Sequence, residues 1–448
     1  MHRRTFLNSA AIGTVTVGLM ASASSRAQVA TVPTREVSVL DYGAVPDGDA
    51  PSPTNNSPAF VAAIAALGSA GGGVLHVPPG TYYVAQSIQI NSANISIEGA
   101  GSNLSILYFP ATTGHGIIFS LPGSGGGETY QSVRVRDICL LTENTLVGGS
   151  TVDPGRCAIR YVPSGPQQGS PYLTVVIQDV EIRGRNGFVQ FWDTGIYLNN
   201  AVNAWIESVE ILGQFNRQAM FQGVLADHYA INVTCSTCQV DYGNYGFRMY
   251  SNEPTTLPPG TQAAGAEGLQ VINCGVGGCR TGAFHDNGTN PEPRPALQVV
   301  GCNFNCTYNA VATSNVTECV VTGNIFYLQS TAFVEIEPGA ACVNISPAGV
   351  NPVPPIHRHV ISGNIFRALA DPSFPARGVV CGGQFVAICG NTFDSFDFGV
   401  ILTPSSGYCH LSGNVFSSVT SFQVQNAGVS NSFTSASPLE SGKSVNII

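Results

Sequence analysis

The sequence predicts an all-β protein wound as a solenoid of parallel strands, a β-helix. Three observations carry this. A Gly-Asn-x-Phe motif recurs through the C-terminal half. Segments in the middle of the chain align with one another on alternating aliphatic residues. The composition is apolar and Gly-rich but poor in charge, with 51 Gly among 448 residues, 44% hydrophobic and 10% charged, against roughly 25% charged in an average soluble protein.

The same composition excludes several function classes. Disorder needs low hydrophobicity and high charge, and coiled coils need abundant Ala, Glu, Lys, Leu and Arg. Nucleic acid is not an expected partner, because the net charge is −9 and the single Lys is Lys443. A polybasic membrane-surface role fails for the same reason.

The N-terminus reads as an export signal. Met1-His2-Arg3-Arg4-Thr5-Phe6-Leu7 is followed by an apolar stretch from Ala10 to Ala23 and by Ser25-Arg26-Ala27, with small residues where a cleavage site needs them. The paired arginines resemble a twin-arginine signal. The apolar run is shorter than the ~20 residues a membrane span needs. The expected organisation is a signal peptide over 1–27, one β-helix domain over 28–430 and a Ser-rich tail over 431–448. The mature protein is then secreted or periplasmic, with no membrane attachment once the signal is removed.

One helix is legible. Ser57 is placed at its N-cap, Pro58 at its first turn, Phe60, Ala63, Ile64 and Leu67 on its apolar stripe, and Gly68 at its end. A helix over about 58–67 would cover the open first coil, whose edge otherwise invites aggregation.

In the middle of the chain Val135-Arg136-Asp137-Ile138, Ile177-Gln178-Asp179-Val180-Glu181-Ile182 and Ile206-Glu207-Ser208-Val209-Glu210-Ile211 align. Alternation turns the aliphatic residues inward, and Gln178, Glu207, Glu181 and Glu210 outward. Later, Val320-Val321-Thr322-Gly323-Asn324-Ile325-Phe326 returns at Val360–Phe366, Ala387–Phe393 and His410–Phe416, with a decayed copy at Val299–Phe304. The Gly positions step by 22, 40, 27 and 23 residues, a base coil near 22 with length added in loops. Such a coil cannot bury its apolar side alone, but stacked about 4.8 Å from its neighbours it can. The recurring Asn is expected to form an inward amide ladder.

Of the 13 Cys, Cys235/Cys238, Cys274/Cys279 and Cys302/Cys306 are close pairs. Burial as small hydrophobes in a repeating core, with one to three disulfides, is favoured over a zinc site that would combine Cys235, Cys238, Cys302, Cys306 and His285. No metal or other cofactor is expected.

Val39-Leu-Asp-Tyr-Gly-Ala-Val-Pro-Asp-Gly48, Gly71-Gly-Gly-Val-Leu-His-Val-Pro-Pro-Gly-Thr-Tyr-Tyr-Val84 and Ile95-Ser-Ile-Glu-Gly-Ala-Gly101 resemble the N-terminal part of the pectate-lyase superfamily, in its rhamnogalacturonase/epimerase-like branch. The resemblance implies a right-handed parallel β-helix acting on polysaccharide. It does not extend to the reaction. The polygalacturonase-type signatures Asn-Thr-Asp, an adjacent Asp pair and Arg-Ile-Lys are absent, Gly114-His115-Gly116 lies too early, and the pectate-lyase Trp-Ile-Asp-His is missing.

Candidate chemistry concentrates in residues 179–241, which hold seven acidic residues and both Trp. Glycoside hydrolysis needs two carboxyl groups, and sugar rings stack on aromatics. The candidate catalytic acids are Glu181 and Glu210, one coil apart as a retaining mechanism requires, Glu207 at a longer separation suited to inversion, and Asp227 beside His228. Glu335 and Glu337 are an alternative pair. Trp192, Trp205, Arg183, Arg217 and His228 are the candidate substrate-binding residues. A lyase would need Arg183, Arg185 or Arg217 as base, and no dense Asp cluster marks a calcium site. The expected function is therefore hydrolysis of a polysaccharide in an outer-face groove. The alternatives are a lyase or transglycosidase on the same scaffold, or a glycan-binding, tailspike-like module. The protein is expected as a monomer or homotrimer.

Overall fold

The computed structural model describes residues 35–121, 132–145, 154–164, 175–251, 265–288, 294–330, 334–347, 356–369, 374–434 and 446–447. The signal over 1–27 lies outside them. Among the described residues there are 35 strands, one short 3-10 helix and one α-helix, and every strand pairing is parallel. The chain is a right-handed parallel β-helix.

Each coil contributes to three stacked sheets. The first contains Val202–Glu207, Ile231–Ser236, Leu297–Val300 and Cys319–Thr322. The second contains Glu210–Leu212, Gln239–Asp241 and Ile325–Leu328. The third contains Thr194–Asn199, Met220–Asp227 and Gly243–Tyr250. Long strands such as Val175–Gly184 turn the corner and serve two sheets.

The corner between the first and second sheets sets the repeat. Asp137, Asp179, Ser208, Thr237 and Asn273 there have φ of 51–56°, and Gly301, Gly323, Gly363, Gly390 and Gly413 have φ of 62–68°. This left-handed backbone is cheapest for Gly and tolerated by Asn and Asp. The repeats pair in the expected register, Val320 with Val360, Val360 with Ala387 and Ala387 with His410. The 40-residue step is thus a single coil.

The next residue at each corner points inward. Asn324, Asn364, Asn391 and Asn414 form the expected amide ladder, each Nδ2 donating to a carbonyl at 2.8–2.9 Å. Beside it, the rings of Phe304, Phe326, Phe366, Phe393 and Phe416 stack at centroid separations of 5.7, 5.7, 4.8 and 5.0 Å. All 13 Cys are free thiols. The buried-hydrophobe reading of the cysteines holds, and the expected disulfides do not form.

The helix runs Ser57–Ser69 and buries Phe60, Ala63, Ile64 and Leu67 against the first coils. Its start is displaced by one residue from the expectation. Asn56 is the N-cap, but its side chain is held elsewhere, exchanging hydrogen bonds with Val45 at 2.6 and 3.0 Å. Asn55 instead accepts the Ser57 N–H at 3.0 Å. At the other end the ladder passes residue 430: Ser432–Thr434 pairs with His410–Ser412, and Asn446–Ile447 with Gln425–Asn426. These segments of the predicted tail add rungs to the solenoid.

Candidate functional site

The outer face of the third sheet gathers the densest chemistry among the described residues. Four strands place Asn199, Asp227, Tyr250 and Asp286 in one outward row. The row two residues earlier holds Tyr197, Leu225, Arg248 and Phe284. The glycines that precede these rows, Gly195, Gly223, Gly246 and Gly282, form an inward column. A Cβ on each would strike the carbonyl of the next coil or a core side chain, so small residues there let the coils close up beneath the site.

Arg248 is 2% exposed. Its Nη2 lies 3.2 Å from Asp286 Oδ2, and its guanidinium lies over the rings of Tyr250 at 4.5 Å and Tyr245 at 4.7 Å. A planar guanidinium can pair with a carboxylate and stack on rings at once, which an ammonium cannot. Asp286 Oδ1 accepts the Gly288 N–H at 3.0 Å. Tyr245 stacks on Phe284 with centroids 5.7 Å apart.

Asp227 has its side chain 4% exposed. Its Oδ1 accepts the His228 N–H at 2.6 Å and lies 3.2 Å from His228 Nδ1. Asn199 Nδ2 donates to Tyr197 Oη at 2.9 Å and approaches the same imidazole nitrogen at 3.0 Å. With a proton on Nδ1 the ring serves Asp227; without one it accepts from Asn199. Burial, reinforced by the nearby Asp227, pushes the Tyr197 phenol up to about 12, so it stays a neutral hydrogen-bonding group.

The structure divides the predicted site residues among different faces. Glu181 and Glu210 are ladder partners on the outer face of the second sheet, in the predicted register. Glu181 accepts from Arg183 Nε at 2.5 Å, while Glu210 is exposed. Glu207 and Trp205 lie on the first sheet, across the left-handed corner at Ser208. Glu207 therefore cannot serve as a longer-range partner on the Glu181/Glu210 face. Arg217 is exposed in the turn between Leu212 and Met220. Asp227 and His228 are on the third sheet. Trp192 requires correction as a substrate platform. It is 1% exposed, packs edge-on against Phe109 at 5.7 Å, and donates Nε1–H to Leu140 O at 3.3 Å. Its large apolar ring gains more from the core than from the surface. Glu337 is held by Arg280 at 2.6 and 2.8 Å, and Glu335 is exposed.

Asp286, Arg248, Tyr250 and Asn199 escaped the sequence reading. A signal for them exists: Gly195-Ile-Tyr-Leu-Asn199, Gly223-Val-Leu-Ala-Asp227, Gly246-Phe-Arg-Met-Tyr250 and Gly282-Ala-Phe-His-Asp286 share a Gly-x4 frame that aligns the outward row.

A parallel β-helix with carboxylates and aromatics displayed on an outer sheet defines a pectate-lyase-like protein. Residues 36–284, more than half the chain, match the family described as rhamnogalacturonase A/epimerase, pectate lyase-like. The chain belongs to that family. No curated protein matches it in sequence. Among solved structures, the catalytic unit of a GH87 α-1,3-glucanase from Streptomyces thermodiastaticus is 15% identical with a TM-score of 0.62, over 90% of this chain and 69% of the glucanase. A family 28 exopolygalacturonase from Yersinia enterocolitica is 11% identical at 0.51, over 91% and 79%. Tailspike protein 3 of bacteriophage CBA120 is 15% identical at 0.53, over 92% and 62%. At these identities the likeness is one of fold.

Proposed function

We propose that this protein hydrolyses glycosidic bonds of a polysaccharide on the outer face of its third sheet, with Asp227 and Asp286 as the carboxyl pair. One observation carries the reading. The two residues occupy the same outward row two rungs apart, with Tyr250 between them. At 4.7–4.9 Å per rung their backbones are roughly 9–10 Å apart, at the upper end of the ~6.5–9.5 Å between carboxyl groups that leaves room for a water in an inverting mechanism. Asp286, ion-paired to Arg248, takes the proton of the attacking water. Asp227 donates to the departing glycosidic oxygen. Tyr250 and the Tyr245/Phe284 stack offer apolar faces to a sugar ring. Arg248 is buried and committed to Asp286, so it is not the free base an elimination would need. The glucanase and exopolygalacturonase of like fold support a polysaccharide as substrate.

Glu181 and Glu210 provide the second reading, favoured by their direct pairing. Being one rung apart, they are spaced for retention. The anomer released first from a cleaved polymer, followed by proton NMR, separates the two: inversion supports the Asp pair, retention the Glu pair. The same proposal makes the chain an exported protein with its signal in 1–27, tested by N-terminal sequencing of the secreted form.

A further inference from the structure

A concavity lies on a different face from Asp227 and Asp286. On the outer side of the second sheet, one rung beyond Glu210, a groove of about 320 Å³ is lined by Gln239, Asn303, Asn305, Tyr327, Gln329 and Leu369, with Gly275 in its floor. Its depth comes from two outward positions of one strand, Gly275 and Gly277, that carry no side chain. A Cβ at either would collide with the side chain of Gln239 or Asp241. Gln239 is fixed within it. Its Nε2 donates to Asp241 Oδ1 at 2.6 Å, which turns its Oε1 over Gly275. Opposite, Asn305 Oδ1 is buried with no hydrogen-bond partner. A buried acceptor left unmade costs free energy until a donor arrives.

We infer that this groove is a second carbohydrate-binding site, selective for neutral oligosaccharide. Four amides and a phenol match the paired donors and acceptors of vicinal hydroxyls. The Tyr327 ring and Leu369 offer apolar surface to the C–H face of a sugar. None of the lining residues is charged, so nothing there compensates the carboxylate of a uronate. Asp241, at its border, is a carboxyl group held by Gln239 and supplies no cation to such a ligand. The site would hold polymer next to the third-sheet face and take no part in bond cleavage.

The test is isothermal titration calorimetry on the full-length Asp227→Asn protein, so that the probe is not consumed. The probes are laminarihexaose, cellohexaose, nigerohexaose and hexagalacturonate. At least one neutral hexasaccharide is expected to bind, and its affinity to fall about tenfold or more in Tyr327→Ala and in Gly275→Leu. Should Gly275→Leu not fold, Asn303→Ala, a change at an exposed side chain, replaces it. Binding that survives these substitutions unchanged, binding of hexagalacturonate alone, or binding of no probe overturns the inference. Cleavage by the wild-type protein is measured separately, so a failed groove and a failed catalytic assignment are distinguishable.

Discussion

The backbone N–H of Cys302 donates to Asn324 Oδ1 at 2.8 Å, and at that bond a column of thiols becomes a column of amides. Before it, Cys238 N–H donates to Cys274 Sγ and Cys274 N–H to Cys302 Sγ, each at 3.4 Å. After it, Asn324, Asn364 and Asn391 donate their N–H to the Oδ1 of the next Asn at 3.0 Å. The two side chains do the same work. Each accepts a corner N–H and donates to a strand carbonyl of the same preceding coil, as Cys302 Sγ does with Cys274 N–H and with Val271 O at 3.3 Å. A thiol does this more weakly than an amide.

That equivalence predicts a graded response. Asn364 is 1% exposed, so Asn364→Ala strands the Asn324 N–H and the Val321 carbonyl that it serves. The expected cost is on the order of 3 kcal/mol. Asn364→Cys, which restores a weak donor and acceptor, should recover part of it. Denaturant melts of the two variants check this, and equal losses would refute the shared role.

The thiols themselves predict a labelling pattern. Twelve of the 13 Cys are buried, and Cys389 is the intermediate one. Burial pushes Cys279 and Cys319 up to about 12, far from the reactive thiolate. A thiol reagent should therefore label the native protein quickly at Cys389 alone and all 13 sites once it is unfolded. A reductant should leave the melting temperature unchanged.

How much of this was legible follows from the left-handed corner. Where it is filled by Gly and followed by Asn, from Gly323 onward, the repeat stands out in the sequence and its register is met. Toward the N-terminus the same backbone is supplied by Asp137, Asp179, Ser208, Thr237 and Asn273, and the inward position by Ile138, Val180, Val209 and Cys238. The geometry persists while the letters change. Glu181 and Glu210 were placed correctly because alternation fixes facing within one strand. Glu207 pairs with Gln178 as expected but lies on a different sheet from Glu210, since alternation restarts across the corner at Ser208. Trp192 was misplaced because an aromatic at a strand boundary has no period to say which side it faces. Of the third-sheet row only Asp227 was named, because the row's marker, a lone inward Gly every coil, is weak against the abundant glycine of this chain.

Two buried histidines predict acid sensitivity. Burial lowers His285 and His359 to about 4, below the usual value near 6.5. Between those values the unfolded chain binds protons that the folded chain refuses, so stability is full above pH 6.5 and falls as pH drops toward 4. At most about 3 kcal/mol is at stake for each. His285→Gln should flatten part of the decline in urea midpoints measured from pH 7 to pH 4. An unchanged pH profile in that variant would remove His285 from the account.

The catalytic assignment predicts a contrast between two faces of one solenoid. Asp227→Asn and Asp286→Asn each remove a proton-transferring group while keeping its shape and hydrogen-bonding reach, so each should lower kcat by about 10²- to 10⁴-fold with circular dichroism unaltered. Arg248→Lys should also weaken activity. An ammonium keeps the charge beside Asp286 but cannot also stack across Tyr245 and Tyr250. Glu210→Gln is the control, since Glu210 is exposed on the second sheet while Glu181 is bound to Arg183. It should leave kcat within about twofold, an effect well under the loss of a catalytic acid or base. If Glu210→Gln abolishes cleavage and Asp286→Asn does not, the chemistry belongs to the second sheet. The row of Asn199, Asp227, Tyr250 and Asp286 would then be a binding surface only.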